Sequence, residues 1–274
     1  MRRLYLTVLF SVLWWSGCGH DTDSPSGEIA VTNSYLHAMV RDLCGDETGI
    51  FSVVPPGMCP GHFDIKPGDV RRLHRSGLLV AFDFQQGIAR VLPDGEGGPV
   101  FAAVAAPPGM CIPDSYLSMT GDVAEILMAH YPQREAELRG RLEEIAARLA
   151  ALEDACFALI ASEGLDGAPV LASVHQAAFA EWLGLRVVGT FSGSDSETAA
   201  NINAALGAGE GHQIRGVIAN RQEGTRLADA LGERLDAPVA VFSNFPDAKA
   251  DRQQAPAFDA LVHENLRRLV EAVH

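Results

Sequence analysis

The stretch from Gln133 to Ala161, QREAELRGRLEEIAARLAALEDACFALIA, is one unbroken helical pattern. It is dense in Glu, Arg, Ala and Leu, which are strong helix formers, with only Gly140 against it. Leu138, Leu142, Ile145, Leu149, Leu152, Cys156 and Leu159 recur at alternating steps of four and three, so they form one apolar stripe. At about 1.5 Å per residue, roughly 29 residues span about 43 Å, close to the width of a whole domain. The stripe also fits a heptad, and a coiled-coil oligomer is one reading of it. A single long helix packed along one monomeric protein is the expectation. Cys156 belongs to the stripe and reads as a small core residue.

On either side of this helix the chain alternates short apolar runs with helical segments. Before it, strands fit Ile29 to Thr32, Ile50 to Val54, Leu78 to Phe82 and Val100 to Ala103. A helix fits from Asn33 or Ser34, both good N-caps, to Cys44 before Gly45. A short helix fits Pro67 to Arg75, with Pro at its start. Ser115 to His130 reads as a further helix, ended by Pro132. After Gly164, strands fit Val170 to Ser173, Arg186 to Val188, Ile214 to Ala219 and Val239 to Phe242. Helices fit His175 to Leu183, Glu197 to Leu206, Gln222 to Leu235 and Ala257 to Val273. This is a βαβ rhythm, which predicts mostly parallel sheets flanked by helices. The expected fold is α/β with two lobes: residues 28–131, a linking helix over 132–163, and residues 164–274.

The chain opens with Arg2 and Arg3, an apolar run from Leu4 to Trp15, then Ser16-Gly17-Cys18. A basic start, a short greasy core and small residues make a secretory signal over residues 1–18. The run is too short for the roughly 20 apolar residues that span a bilayer. Ser-Gly-Cys resembles the lipobox of bacterial lipoproteins, with Cys18 as the lipidated residue and Trp15 in place of the usual Leu. Residues 19–27 (GHDTDSPSG) read as a flexible tether. The expected location is the periplasm or the outer face of the cytoplasmic membrane.

With 35 acidic and 21 basic residues the net charge is −14. Such a surface repels phosphate backbones, and no basic stripe suggests nucleic-acid binding. Acidity is compatible with collecting cations, although many proteins are acidic for solubility alone.

Past the signal lie Cys44, Cys59, Cys111 and Cys156. Cys44 ends a helical pattern and reads as structural. Pro-Pro-Gly-Met-Cys occurs twice, at Pro55 to Cys59 and Pro107 to Cys111, and the first copy continues into Pro60-Gly61-His62. Each copy follows a strand-like run, and Pro with Gly forces a turn. Loops at the carboxyl ends of strands are where open α/β sheets bind ligands. Two thiols and a His placed this way look like a soft metal site. A Cys59–Cys111 disulfide tying the two loops is the competing reading, favoured by an oxidising compartment.

Two longer stretches carry a family resemblance. Val53 to Val70 (VVPPGMCPGHFDIKPGDV) and Leu171 to Leu185 (LASVHQAAFAEWLGL), followed by the strand, helix and strand of Val217 to Pro246, resemble the metal-binding lipoproteins of zinc and manganese ABC importers. These are solute-binding proteins of the cluster A-I type, two α/β lobes joined by one long rigid helix. The resemblance implies an ABC permease as partner and a metal between the lobes. It also implies departures. Gly61 stands where the first family His falls, with His62 one residue later. Asp114 replaces the second His, and Cys111 lies nearby. His175 fits directly. Ser243 stands at the usual Asp, and Asn220 at the usual acidic residue of the preceding strand.

Cys59, His62, Cys111 and His175 would make a tetrahedral set of two thiolates and two imidazoles suited to Zn2+. Asp114 is the alternative ligand. Soft sulfur also suits Cu+, with Met58 and Met110 as possible thioether donors, and argues against manganese. His37, His74, His130, His212, His263 and His274 read as surface or helix-end residues. There is no Gly-x-Ser-x-Gly elbow, Walker loop or Rossmann fingerprint, so no enzyme is expected. The leading expectation is capture of zinc, or of copper(I), for an ABC importer. The competing one is a same-fold lipoprotein closed by the disulfide, serving as an interaction module or binding a non-metal solute.

On this ligand set, Cys59→Ser abolishes tight zinc binding under reducing conditions, while His74→Ala leaves it unchanged. Calorimetry on the two variants checks this. Full zinc affinity in Cys59→Ser would leave His62, Asp114 and His175 as the fallback site.

Overall fold

The computed structural model describes residues 28–45, 49–53, 66–92, 98–193, 198–247 and 256–274. The leader with Cys18, the tether, and the first Pro-Pro-Gly-Met-Cys loop with Cys59 and His62 lie outside the described residues. No helix among the described residues is long and apolar enough to cross a membrane.

Two four-stranded parallel sheets form the frame. The first holds β1 (Ile29–Val31), β2 (Ile50–Ser52), β3 (Leu78–Phe82) and β4 (Val100–Val104) in the order β2-β1-β3-β4. The second holds β5 (Pro169–Ser173), β6 (Arg186–Phe191), β7 (Gly216–Asn220) and β8 (Val239–Phe242) in the order β6-β5-β7-β8. Every pairing is parallel. Parallel neighbours need crossovers, so all the strand-end loops of one sheet gather along one edge. The central strands are buried on both faces, which is why β3 reads as an unbroken apolar run, Leu-Leu-Val-Ala-Phe.

The helices follow the sequence patterns closely. In α1 (Ser34–Cys44), Asn33 caps the start, its Oδ1 accepting from the backbone N–H groups of Tyr35 and Leu36. Gly45 ends it with φ 78°, a conformation that favours glycine. α2 (Pro67–Leu73) and α3 (Pro113–His130) both begin at a proline, whose missing N–H costs nothing in a first turn. Three further helices belong to the second sheet's half: α5 (Ala177–Trp182), α6 (Ala199–Glu210) and α7 (Arg226–Leu235). The last is α8 (Ala257–Val273).

The long helix α4 runs Glu135–Ser162, after a 3-10 turn at Pro132–Arg134. Leu138, Ile145, Leu149, Leu152 and Cys156 are buried along it. They pack on α1 and α3 of the first half and on α8 of the second. The stripe is therefore covered within one chain and is not free for a coiled coil.

Polar and aromatic groups tie the two halves beside this stripe. Arg148 of α4 reaches Asp42 of α1 with Nη2–Oδ2 at 2.6 Å, and its Nε lies 3.3 Å from Asp259 Oδ1 of α8. Tyr116 of α3 donates its hydroxyl to the same Asp42 oxygen at 3.0 Å. The Tyr116 ring stacks on Phe258 at 4.0 Å between centroids, and Tyr35 stands edge-on to Phe245 at 5.9 Å. One continuous core thus includes residues of both sheets.

Arg148 faces two largely buried carboxylates in this cluster. Arg148→Ala should cost about 3–5 kcal/mol at neutral pH, because it leaves buried charge unpaired. Burial lifts the Asp259 carboxyl above its ordinary range, with Arg148 pulling it back. A carboxyl so raised holds its proton more tightly folded than unfolded, so its ionisation costs stability as pH rises through the raised value. The Arg148→Ala penalty should accordingly shrink as pH falls toward about 4, near the unfolded value. Urea midpoints at pH 4 and pH 7 test this, and a penalty that grows in acid would contradict it.

Candidate functional site

The carboxyl end of the second sheet is lined with polar side chains. Ser173 closes β5 and Asn220 closes β7, both buried. Three donors converge on Glu223, which ends the 3-10 turn Arg221–Glu223. Ser173 Oγ donates to Oε2 at 2.5 Å, Asn220 Nδ2 donates to Oε2 at 3.2 Å, and the Gly193 backbone N–H donates to Oε1 at 3.2 Å. His175 lies in the turn after β5. Its backbone N–H donates to Ser173 Oγ, and its ring Nε2 is 3.5 Å from Glu223 Oε1. The imidazole is 59% exposed.

Towards β8 the network becomes purely neutral. Gln176 Nε2 donates to Asn244 Oδ1 at 2.6 Å, and Gln222 Oε1 accepts from the Asn244 backbone N–H. Gln222 Nε2 donates to Ser243 Oγ, and Asn265 of α8 takes up both backbone groups of Ser243. Ser243, which stands where the family resemblance would put a carboxylate, and its neighbour Asn244 thus fix the shape of their loop.

The first half meets this loop through the second Pro-Pro-Gly-Met-Cys copy. Gly109 has φ +70°, and a Cβ there would lie 2.6 Å from Ile112 Cδ1, so the turn needs glycine on both counts. The Ile112 N–H closes the turn onto the Gly109 carbonyl at 2.8 Å. Cys111 is carried inward. Its Sγ lies 3.2 Å from the Tyr35 hydroxyl, and 3.8 and 4.0 Å from the carbonyl oxygens of Ser243 and Asn244. The Cys111 thiol is free among the described residues, and Cys59, its partner in the disulfide alternative, lies outside them. Burial pushes its pKa up to about 11, with the Tyr35 hydroxyl partly offsetting that. Carbonyl oxygens around a sulfur favour a cation and disfavour a bare thiolate.

Of the sequence candidates, Cys111 and His175 both border the network around Asn244. They are linked through Asn244, whose carbonyl faces Cys111 and whose side chain accepts from the neighbour of His175. Asp114 is exposed in the first turn of α3. Cys156 is core, its thiol pushed up to about 12 by burial, and Cys44 is half-buried. Among the described residues, no three His, Cys, Asp or Glu side chains group to hold a metal ion. Cys59 and His62 lie outside the described residues. An open groove of about 430 Å³ between β6 and α6 is lined by residues such as Val188, Thr190 and Ala204, none of them His, Cys, Asp or Glu.

Two sequence expectations need correction. The helix expected from His175 begins at Ala177, so His175 sits in a turn rather than in a helix. The helix expected from Gln222 begins at Arg226, because Gly224 at φ 80° breaks the chain after the 3-10 turn. Glu223 was thereby hidden as an ordinary acidic residue of a first helical turn. Its signal was an acid three residues past an apolar strand and directly before a glycine.

The environment of Cys111 predicts an inert thiol. At pH 8 a pKa near 11 leaves roughly 200-fold less thiolate than an ordinary cysteine has. Alkylation followed by peptide mapping of the native, metal-free protein should leave Cys111 unlabelled until denaturant is added. Rapid native labelling would refute the buried placement.

No protein-family model matches the chain. A Thermotoga maritima protein described as a candidate metal-binding protein is 26% identical over 182 residues, 62% of this chain and 66% of that protein. The manganese ABC transporter substrate-binding lipoprotein PsaA of Streptococcus pneumoniae is 29% identical over 80 residues, 28% of this chain and 25% of its own length. The chain therefore spans less than two thirds of the curated relatives it matches. Among solved structures, the manganese-bound periplasmic metal-binding protein of Candidatus Liberibacter asiaticus superposes with a TM-score of 0.75 at 12% identity. That superposition covers 90% of this chain and all of the other. The two-lobed α/β fold is thus shared.

Proposed function

We propose that this chain is an extracytoplasmic solute-binding protein, not an enzyme, that captures a transition-metal ion for an ABC importer. The carrying observation is the meeting of Cys111, from the first half, with the strand-end loop of the second sheet, whose Asn244 side chain is held by Gln176, the residue after His175. A soft donor and an imidazole donor near this seam support the reading, in a fold shared with a periplasmic metal-binding protein. The relative PsaA, named as a transporter's substrate-binding lipoprotein, supports a permease as the partner. In this reading residues 1–18 direct export, Cys18 carries the lipid anchor, and the protein works as a monomer.

The cargo is zinc, with copper(I) as the alternative. The ligands are Cys111 and His175 together with Cys59 and His62, Asp114 standing in for one thiolate. Thiolate and imidazole donors suit zinc, and the residues at the family's carboxylate positions, Asn220 and Ser243, carry no charge, which disfavours manganese. The Cys111 surroundings fit a cation: two carbonyl oxygens face the sulfur, and the ion supplies the charge that lets the proton leave. The long helix α4 serves as the rigid connection between lobes.

Metal content and free-thiol count, measured together on protein purified without added metal, test this reading. One equivalent of zinc per chain is expected, with manganese binding much weaker by calorimetry. Because thiolates must lose protons to bind, affinity should fall in acid. Manganese binding as tightly as zinc would overturn the ligand set.

A further inference from the structure

The second sheet holds a charge that its own architecture does not require. Both sheets have the same strand order, with β1 and β3 central in one and β5 and β7 central in the other. In such sheets the connections diverge between the two central strands, and ligands bind in the crevice beyond that point. Each sheet braces the crevice in the same way. A 3-10 turn follows β3, and its third residue is Gln85. Gln85 Oε1 accepts from Thr32 Oγ1 at 2.6 Å and from Asn33 Nδ2 at 3.1 Å, just past the end of β1. A 3-10 turn also follows β7, and its third residue is Glu223, whose Oε2 accepts from Ser173 at the end of β5. An amide performs this bracing in the first sheet. The second sheet has a carboxylate in its place.

Beside that carboxylate stands the His175 ring. Its Nε2 is 3.5 Å from Glu223 Oε1, longer than an ordinary N–H···O hydrogen bond. It is close to the roughly 3.4 Å that separates two ligand atoms each about 2.05 Å from one tetrahedral ion. Two oxygens next to the pair are also unused. Asn220 and Gln176 are 2% and 0% exposed, and neither Asn220 Oδ1 nor Gln176 Oε1 accepts a hydrogen bond. The Asn220 amide is turned to Glu223 through its Nδ2, and Gln176 directly follows His175.

We propose that His175 Nε2 and Glu223 Oε1 form a metal-gripping pair at the crevice of the second sheet. The inference rests on the metal-capture reading and narrows its cargo. A carboxylate oxygen is a hard donor that favours a divalent ion such as Zn2+ and gives nothing to Cu+, and discrimination against manganese is left to the thiolates.

The test titrates the reduced full-length protein with Zn2+, and separately with Cu+ under anaerobic conditions, by calorimetry. The chains compared are the native one, Glu223→Gln and Cys111→Ser. Glutamine at 223 reproduces the brace that Gln85 makes, so the metal-free melting temperature should hold. Zinc affinity of Glu223→Gln should fall by more than about 100-fold, beyond what loss of an outer partner costs, with Cu+ affinity unchanged. Unchanged zinc affinity in Glu223→Gln, with loss in Cys111→Ser, would overturn the pair and leave the thiolate site standing. A native chain that binds neither ion would overturn both readings. Should Glu223→Gln fail to fold, Glu223→Asp is read instead, with the same expected loss and the same overturning result. That variant keeps the charge but withdraws it by one methylene.

Discussion

Arg148 holds one carboxylate from each half of the molecule, Asp42 on α1 and Asp259 on α8, and the rest of the architecture hangs on that meeting. A guanidinium between two largely buried acids leaves little freedom in how the halves sit, since moving either acid strands a charge. The aromatic contacts of Tyr116 with Phe258 and of Tyr35 with Phe245 fill the space beside it. Together they bring the Pro107 to Cys111 turn of one half against the Ser243-Asn244 loop of the other. The site is therefore a product of the seam: neither sheet alone would put a thiol against those carbonyls.

Much of the fold was legible in the sequence, for reasons that can be named. The boundaries of β3, β8 and α8 follow directly from apolar runs and periodicity, since Leu78–Phe82, Val239–Phe242 and Ala257–Val273 are bounded by turn residues. The α4 stripe was readable as a stripe, but what covers it was not, because a heptad looks the same against a partner copy as against α1, α3 and α8. Two helix starts, at His175 and Gln222, were misplaced. After His175 the sequence continues with good helix formers, and after Gln222 they resume at Arg226 past Gly224, while in both cases the backbone first makes a tight turn that satisfies strand-end groups.

The candidate site was legible only in part, and the same turns explain why. Cys111 and His175 stood out because thiols and imidazoles are scarce and follow strands. Glu223 did not, because acids are abundant in this chain and one more in a presumed first helical turn is unremarkable. Its significance depends on three donors from β5, β7 and the Gly193 backbone converging on it, and such convergence is a property of register between non-adjacent segments. Ser243 and Asn244 are the converse case. Ser243 reads as a lost ligand, and it and Asn244 work as loop braces through Gln222 and Asn265.

The covered stripe of α4 has a kinetic consequence. With a helix of 28 residues locked to α1, α3 and α8, a wide hinge opening would need buried leucines and a shared arginine to part together. Such collective motions belong to microseconds and longer, whereas loops move in nanoseconds to microseconds. Traffic into and out of the seam is left to its rim: the turn around Gly109, the His175 turn and the Ser243-Asn244 loop. In the proposed capture role, residence time is then set by how often short, hydrogen-bonded turns fray, a quantity that amide exchange at those turns reads directly.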